Sequence, residues 1–158
     1  MTRRILLLDI DGVIATSDDR WWLGGRAGIV DRAAAVIDPE LAARVAGIVG
    51  ATGCEVVICS SWRIMPVGLT PPQLTEVLAR HGIRHDGQTR QPRGDEYGWA
   101  RRLGPIRSMI ASDPAARWVV LDDQVQAADL AGLAVVVTPD DGITPDDAAM
   151  VIAAMEAP

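Results

Sequence analysis

The sequence predicts an α/β protein in which helices cover both faces of a parallel sheet of about five strands. Two observations carry that prediction. Short apolar runs alternate with amphipathic stretches along the 158 residues. Three of those runs end in polar residues: Asp9-Ile10-Asp11, Ser60-Ser61 and Asp122-Asp123. Parallel strands deliver such ends to one edge of a sheet, where open α/β folds bind their ligands.

The elements follow in chain order. Residues 4–10 form the first strand, because Ile5-Leu6-Leu7-Leu8 is a continuous apolar run too short for a helix. Gly12 lets the chain turn sharply and lets backbone approach a ligand. Residues 15–37 lack a clean period and hold Trp21, Trp22 and several glycines, which predicts a loop or small flap. Asp38-Pro39-Glu40 reads as an N-cap followed by proline at the first helical position. Leu41, Val45, Ile48 and Val49 give that helix its apolar face, and Gly53 stops it. Residues 55–59 are a second buried strand. Thr70-Pro71-Pro72 opens a helix with Leu74, Val77 and Leu78 inward and Gly82 as its stop. Residues 83–89 hold a short third strand, and 91–104 are polar, arginine-rich and irregular. A short helix is expected over 105–111, starting at Pro105, then a strong strand over 118–121. Residues 130–133 close a turn, 134–137 are the last strand and 145–155 the last helix. No repeat, low-complexity tract or linker interrupts this order, so 1–158 reads as a single domain.

Composition narrows the function. Hydrophobic residues make up 49% of the chain, yet no run has the length of a membrane span. Met1-Thr2-Arg3-Arg4 is basic, but the apolar stretch after it ends quickly at Asp9, which suits a strand and not a signal peptide. Cys54 and Cys59 lie in or beside one strand, too far apart to bridge, and read as reduced core residues of a cytoplasmic protein. The net charge of −6 weighs against a large polyanion-binding face, although arginines can still cluster locally.

Carboxylates from different strands can share a hard cation such as Mg2+, which takes oxygen ligands. A hydroxyl at Ser60 and nearby backbone donors can hold a phosphate oxygen, and an arginine from 91–107 can neutralise the remaining charge. That set fits phosphoryl transfer, where positioning and charge stabilisation supply most of the catalysis. Plainer readings stand beside it. Taken alone, Asp122-Asp123 serves equally well as a cap for the next helix, and Ser60 as a turn residue. Ser61 replaces Ser60 if the strand runs one residue longer. Trp62 reads as a packing anchor and Arg63 equally as a surface ion-pair partner. His81 and His85, with Gly82 between them, read as two unrelated exposed histidines. Of Trp21 and Trp22, one belongs to the core and the other meets substrate or a partner. Asp140, Asp141, Asp146 and Asp147 form an acidic surface at a turn and a helix start.

The motifs in order, Asp9-Ile10-Asp11-Gly12-Val13, a strand ending in Ser60 and a strand ending in Asp122-Asp123, resemble the haloacid dehalogenase-like (HAD) superfamily of phosphatases. Ser60-Ser61-Trp62-Arg63 and the stretch Val137-Thr138-Pro139-Asp140-Asp141-Gly142-Ile143-Thr144 resemble more narrowly the HAD domains associated with RNA-repair ("Swiss army knife") proteins. The resemblance implies a three-layer α/β/α Rossmann-like HAD core. It implies Asp9 as the nucleophile that forms an aspartyl-phosphate, and Asp11 as the general acid and base. Ser60, with Ser61 and Gly12 beside it, would hold the phosphoryl group. Asp9, the Asp11 carbonyl, Asp123 and Asp122 would hold Mg2+. The family also needs a lysine or arginine, and this chain has no lysine. Arg93, Arg101, Arg102 and Arg107 compete for that role; Arg102 is favoured because it lies just before the expected helix start, with Arg107 next. Few residues separate the motifs, which leaves little or no room for a cap. The expectation is a Mg2+-dependent phosphomonoester hydrolase with an open site. Its phosphorylated substrate could be a nucleic-acid end, a phosphoprotein or a large metabolite, with no membrane partner. Two other readings are a receiver-like phospho-acceptor, disfavoured by the motif order, and a catalytically silent binding domain.

Overall fold

The computed structural model describes every residue except Met1, Asp18, Asp19, Met65, Tyr97, Gly98, Trp99, Gln126, Ala131 and Pro158, and the side chains of Ala127 and Ala128. Five parallel strands form one sheet: β1 (Arg4–Leu8), β2 (Glu55–Ile58), β3 (Gly87–Gln88), β4 (Arg117–Asp122) and β5 (Ala134–Val136), in the order β3-β2-β1-β4-β5. The helices are α1 (Ile29–Ala35), α2 (Pro39–Thr52), α3 (Pro71–Ala79), α4 (Ala100–Ser112) and α5 (Pro145–Glu156). This is the α/β Rossmann-like architecture expected of a HAD core. β1 is central, with Leu8 in register with Ile58 on one side and Leu121 on the other.

Alternation along the strands builds two cores. Leu6 and Leu8, Val56 and Ile58, and Val119 and Leu121 face α1, α2, α3 and α5. Ile5 and Leu7, Val57 and Cys59, and Trp118 and Val120 face Leu103 and Ile106 of α4. Burying each such aliphatic side chain contributes about 1.5–3 kcal/mol, so β1, apolar on both faces, anchors both layers. The same two-residue period directs Asp122 towards α4, as it does Trp118 and Val120. Strand order reverses between β1 and β4, and a ligand crevice of an α/β sheet opens at such a point.

Local chemistry explains the helix ends. The Asp38 carboxylate accepts from the N–H groups of Glu40 (2.7 Å) and Leu41 (3.2 Å), and Pro39 begins α2. Gly53 ends it in the left-handed region, where its N–H reaches the Val49 carbonyl. Thr70 with Gln73, and Thr144 with Asp147, close capping boxes on α3 and α5.

Several expectations need correction. Residues 15–37 are not all loop, because they contain α1. Its glycine-rich entry hides the helix, and Arg32 holds that entry by donating to the carbonyls of Trp21, Gly25 and Ala27. α4 starts at Ala100 and not at Pro105, which lies inside the helix. Leu103, Pro105 and Ile106 are all buried, so packing against the sheet outweighs the lost proline N–H. β1 stops at Leu8, although the Asp9 N–H still reaches the Leu121 carbonyl at 3.0 Å. β3 is only two residues long. Among the described residues, no helix is long and apolar enough to cross a membrane.

Candidate functional site

The chain leaves β1 at Asp9 and turns at Gly12, whose φ is 72°. A Cβ at Gly12 would lie 2.5 Å from the Asp123 carboxylate, so this position needs glycine both for its backbone angle and for space. The turn folds Asp9 and Asp11 back over the ends of β1 and β4. Asp9 is fully buried. Its Oδ1 accepts the Ile10 N–H at 2.8 Å, while Oδ2 makes no hydrogen bond and meets Arg102 Nη2 in an ion pair.

Arg102 lies in the first turn of α4 and reaches back across the sheet edge. Its Nε donates to Asp122 Oδ2 at 3.0 Å, and its Nη2 lies 2.9 Å from the same oxygen and 3.9 Å from Asp123 Oδ1. Asp122 plays two parts at once. Oδ1 caps the following turn by accepting from the N–H groups of Gln124 (2.8 Å) and Val125 (3.0 Å), and Oδ2 faces Arg102. The capping reading and the cluster reading thus hold together.

Oxygens of Asp9, Asp122 and Asp123 lie within 4.8 Å of one another. Asp9 Oδ2 and Asp123 Oδ1 are buried without hydrogen bonds. Three carboxylates face one guanidinium, which leaves an excess of negative charge in a desolvated place. Burial pushes the Asp123 carboxyl above its ordinary range, and the Asp122 charge adds to that against the opposing pull of Arg102. An all-oxygen donor set with spare charge fits a hard divalent cation such as magnesium.

Asp11 stands on the solvent side. Trp62 Nε1 donates to its Oδ1 at 2.7 Å and Ser61 Oγ to its Oδ2 at 3.3 Å. Burial raises the Asp11 pKa; the two hydrogen bonds oppose that rise and the Asp123 charge adds to it. The two serines divide their roles. Ser60 is fully buried, and its Oγ accepts the Trp62 N–H at 3.4 Å to cap the short 3-10 turn Ser61–Arg63. The hydroxyl that lines the cleft is that of Ser61.

That cleft has a volume of about 670 Å³. Asp11, Ser61, Arg102, Arg101 and Gln124 line its polar side, and Trp22, Ile64, Pro66 and Val67 its apolar side. Arg102 therefore touches the cleft on one side and Asp9 on the other. Trp21 is the core member of the tryptophan pair, packed 4.5 Å from Trp62 between ring centroids, while Trp22 stays 42% exposed on the cleft. Arg26 ties the two rims by donating to the carbonyls of Gly68 (2.8 Å) and Pro66 (3.0 Å).

The sequence of a family described as the HAD domain in Swiss Army Knife RNA repair proteins matches residues 5–148 of the chain. The chain belongs to this family. No curated protein and no solved structure matches it significantly. Membership in the HAD domains points to phosphatase-type chemistry, and the matched span contains Asp9, Asp11, Ser60, Ser61, Arg102, Asp122 and Asp123.

In this HAD domain none of the other competing arginines forms an ion pair with Asp9, Asp122 or Asp123 among the described residues. Arg107 donates to the Asp129 carbonyl at 3.0 Å, the Arg93 N–H binds Glu96, and Arg101 lines the cleft. His81 and His85 are half-buried and not exposed: the first meets the Ala34 carbonyl at 2.9 Å, the second Thr75 Oγ1 at 2.8 Å. Arg63 is not a surface ion-pair partner; it is 1% exposed. Sequence reasoning missed the indole bond from Trp62 to Asp11, for which an aromatic residue just after a serine strand end is the only local signal.

Proposed function

We propose that this domain is a Mg2+-dependent phosphomonoester hydrolase working through Asp9. The observation that carries this reading is the buried Asp9 Oδ2, free of hydrogen bonds and set against Arg102 beside Asp122 and Asp123. Asp9 Oδ2 attacks phosphorus, and the bond from phosphorus to the leaving oxygen breaks. Asp11 delivers its proton to that leaving oxygen, then takes one from the water that cleaves the aspartyl-phosphate. Inorganic phosphate and the Asp9 carboxylate are regenerated. The raised pKa of Asp11 suits a group that must carry a proton before it gives one away.

Arg102 neutralises charge on Asp9 and on the phosphoryl oxygens as they meet. Ser61 orients those oxygens, and Ser60 fixes the turn that carries Ser61; the Gly12 N–H, by contrast, already donates to the Ala15 carbonyl at 2.8 Å. Asp9, Asp123 and Asp122, with the Asp11 carbonyl, would hold the magnesium ion. Bound there, the ion supplies Lewis-acid charge neutralisation to the phosphoryl group. The apolar side of the cleft supports a substrate with a sizeable organic part, such as a nucleic-acid end. Two buried free cysteines suit a reducing, cytoplasmic setting.

The test is hydrolysis of an aryl phosphate with and without magnesium, for the wild type and Asp9→Asn. Metal-dependent turnover that disappears in the variant is expected; equal rates in the two proteins would overturn the proposal.

A further inference from the structure

Arg63 carries a positive charge that no described carboxylate balances. Among the described residues it is the only buried arginine, 1% exposed. Its Nε donates to Thr89 Oγ1 at 2.6 Å, but both terminal nitrogens are buried without an acceptor. No described carboxylate lies within ion-pair distance of it, whereas Arg90, Arg102, Arg84 and Arg80 all have such partners. The neighbouring Arg90 charge repels it further. A desolvated cation without a counter-charge is strongly unfavourable unless something supplies one.

The backbone beneath this side chain is firmly held. Ser60 caps the turn, and Gln91 Nε2 donates to the Arg63 carbonyl at 2.7 Å. The residue lines the same cleft as Asp11, Ser61, Arg102 and the exposed Trp22. A fixed backbone and a guanidinium without a described counter-charge thus stand at the wall of the cleft that holds the candidate phosphoryl site.

We infer that Arg63 forms a second anion subsite, which selects phosphomonoesters carrying another phosphate a few bonds from the one transferred. The inference rests on the reading of this cleft as the phosphatase site. A guanidinium grips phosphate with two parallel N–H bonds, a geometry that Lys cannot copy. Both terminal nitrogens are closed to solvent in the free protein, so the anion meets them after a rotamer change of this side chain. Trp22 offers a planar face on the same cleft for a base attached to those phosphates.

Binding to the Asp9→Asn protein, measured by calorimetry with magnesium present, separates the subsite from turnover. The ligands are adenosine 5′-monophosphate, adenosine 3′,5′-bisphosphate and a 5′-phosphorylated dinucleotide. The bisphosphate and the dinucleotide should each bind about tenfold or more tighter than the monophosphate. A gain for the bisphosphate alone would assign the subsite to free nucleotides, and a gain for both to strand ends as well. Adding Arg63→Met should bring the ratios close to one, and Arg63→Lys should leave a partial preference. Ratios near one without the Arg63 change, or ratios that survive Arg63→Met, would overturn the inference. If Arg63→Met does not fold, the Arg63→Lys ratio decides alone, and an undiminished preference would refute the subsite. Hydrolysis of an aryl phosphate and of the bisphosphate by the wild type reports separately: a tenfold binding preference with hydrolysis of neither would refute the phosphatase reading and leave the subsite standing.

Discussion

Arg102→Met should destabilise the metal-free protein strongly. Arg102 is the cation that contacts both Asp9 and Asp122, and both carboxylates are fully buried. Removing one partner of a buried ion pair costs about 3–5 kcal/mol, because the remaining charge is left desolvated and unpaired. Two carboxylates share this guanidinium, so about 4 kcal/mol is a reasonable figure. In a domain of this size each kcal/mol moves Tm by roughly 2–4 °C, which predicts a fall of about 8–16 °C. The assay is thermal unfolding at neutral pH in a chelator, with Arg101→Met as the control. Arg101 is exposed on the cleft and should lower Tm by little. Magnesium should restore part of the loss, since a divalent cation replaces the missing charge. A Tm for Arg102→Met within about 1 °C of the Arg101→Met control would refute the claim that Arg102 balances the buried acids.

Other positions yield further predictions. Gly12→Ala forces a side chain into the left-handed region and against the Asp123 carboxylate, so it should lose at least about 2 kcal/mol of stability and weaken magnesium binding, both measurable by melts with and without the ion. Trp62→Phe keeps an aromatic ring but removes the donor to Asp11. It should lower kcat/KM on an aryl phosphate by roughly tenfold to a hundredfold, and a loss under about threefold would dissociate the indole from catalysis. Glu96 is held at about 2, from an ordinary 4.5, by its Arg90 hydrogen bonds and then by the Arg93 N–H. A carboxylate whose folded pKa is depressed contributes stability that is present above its unfolded value and lost as pH falls through the folded one. The Tm gap between the wild type and Glu96→Gln should therefore be full above about pH 5 and close as pH falls towards 2; a gap that is constant over that range would contradict it.

The aspartates that gather at the sheet edge were legible because their signals are local. Asp9, Ser60 and Asp122 each end an apolar run, and run ends can be read without tertiary information. What the sequence hid depends on distant partners. Pro105 resembles a helix start, and only the packing of Leu103 and Ile106 on the Ile5–Leu7 face reveals that α4 begins earlier. Gly104 resembles a breaker, yet a Cβ there would collide with the Glu96 carboxylate, so the glycine admits the Arg90–Glu96 pair to the helix. β2 ends at Ile58, and the 3-10 turn after it, not a longer strand, separates Ser60, which caps the turn, from Ser61, which lines the cleft. The bond from Trp62 to Asp11 joins groups 51 residues apart, which no local pattern reports. Arg63 misled because charge usually marks surface.

In the proposed reaction the Asp9 carboxylate takes the phosphoryl group. Rapid acid quench during turnover with magnesium, then borohydride reduction and peptide mass spectrometry, tests it most directly. The peptide carrying Asp9 should be reduced to the alcohol at that side chain, with other acidic residues untouched. Steady turnover with an unmodified Asp9, or a reduced side chain at another position, would contradict it.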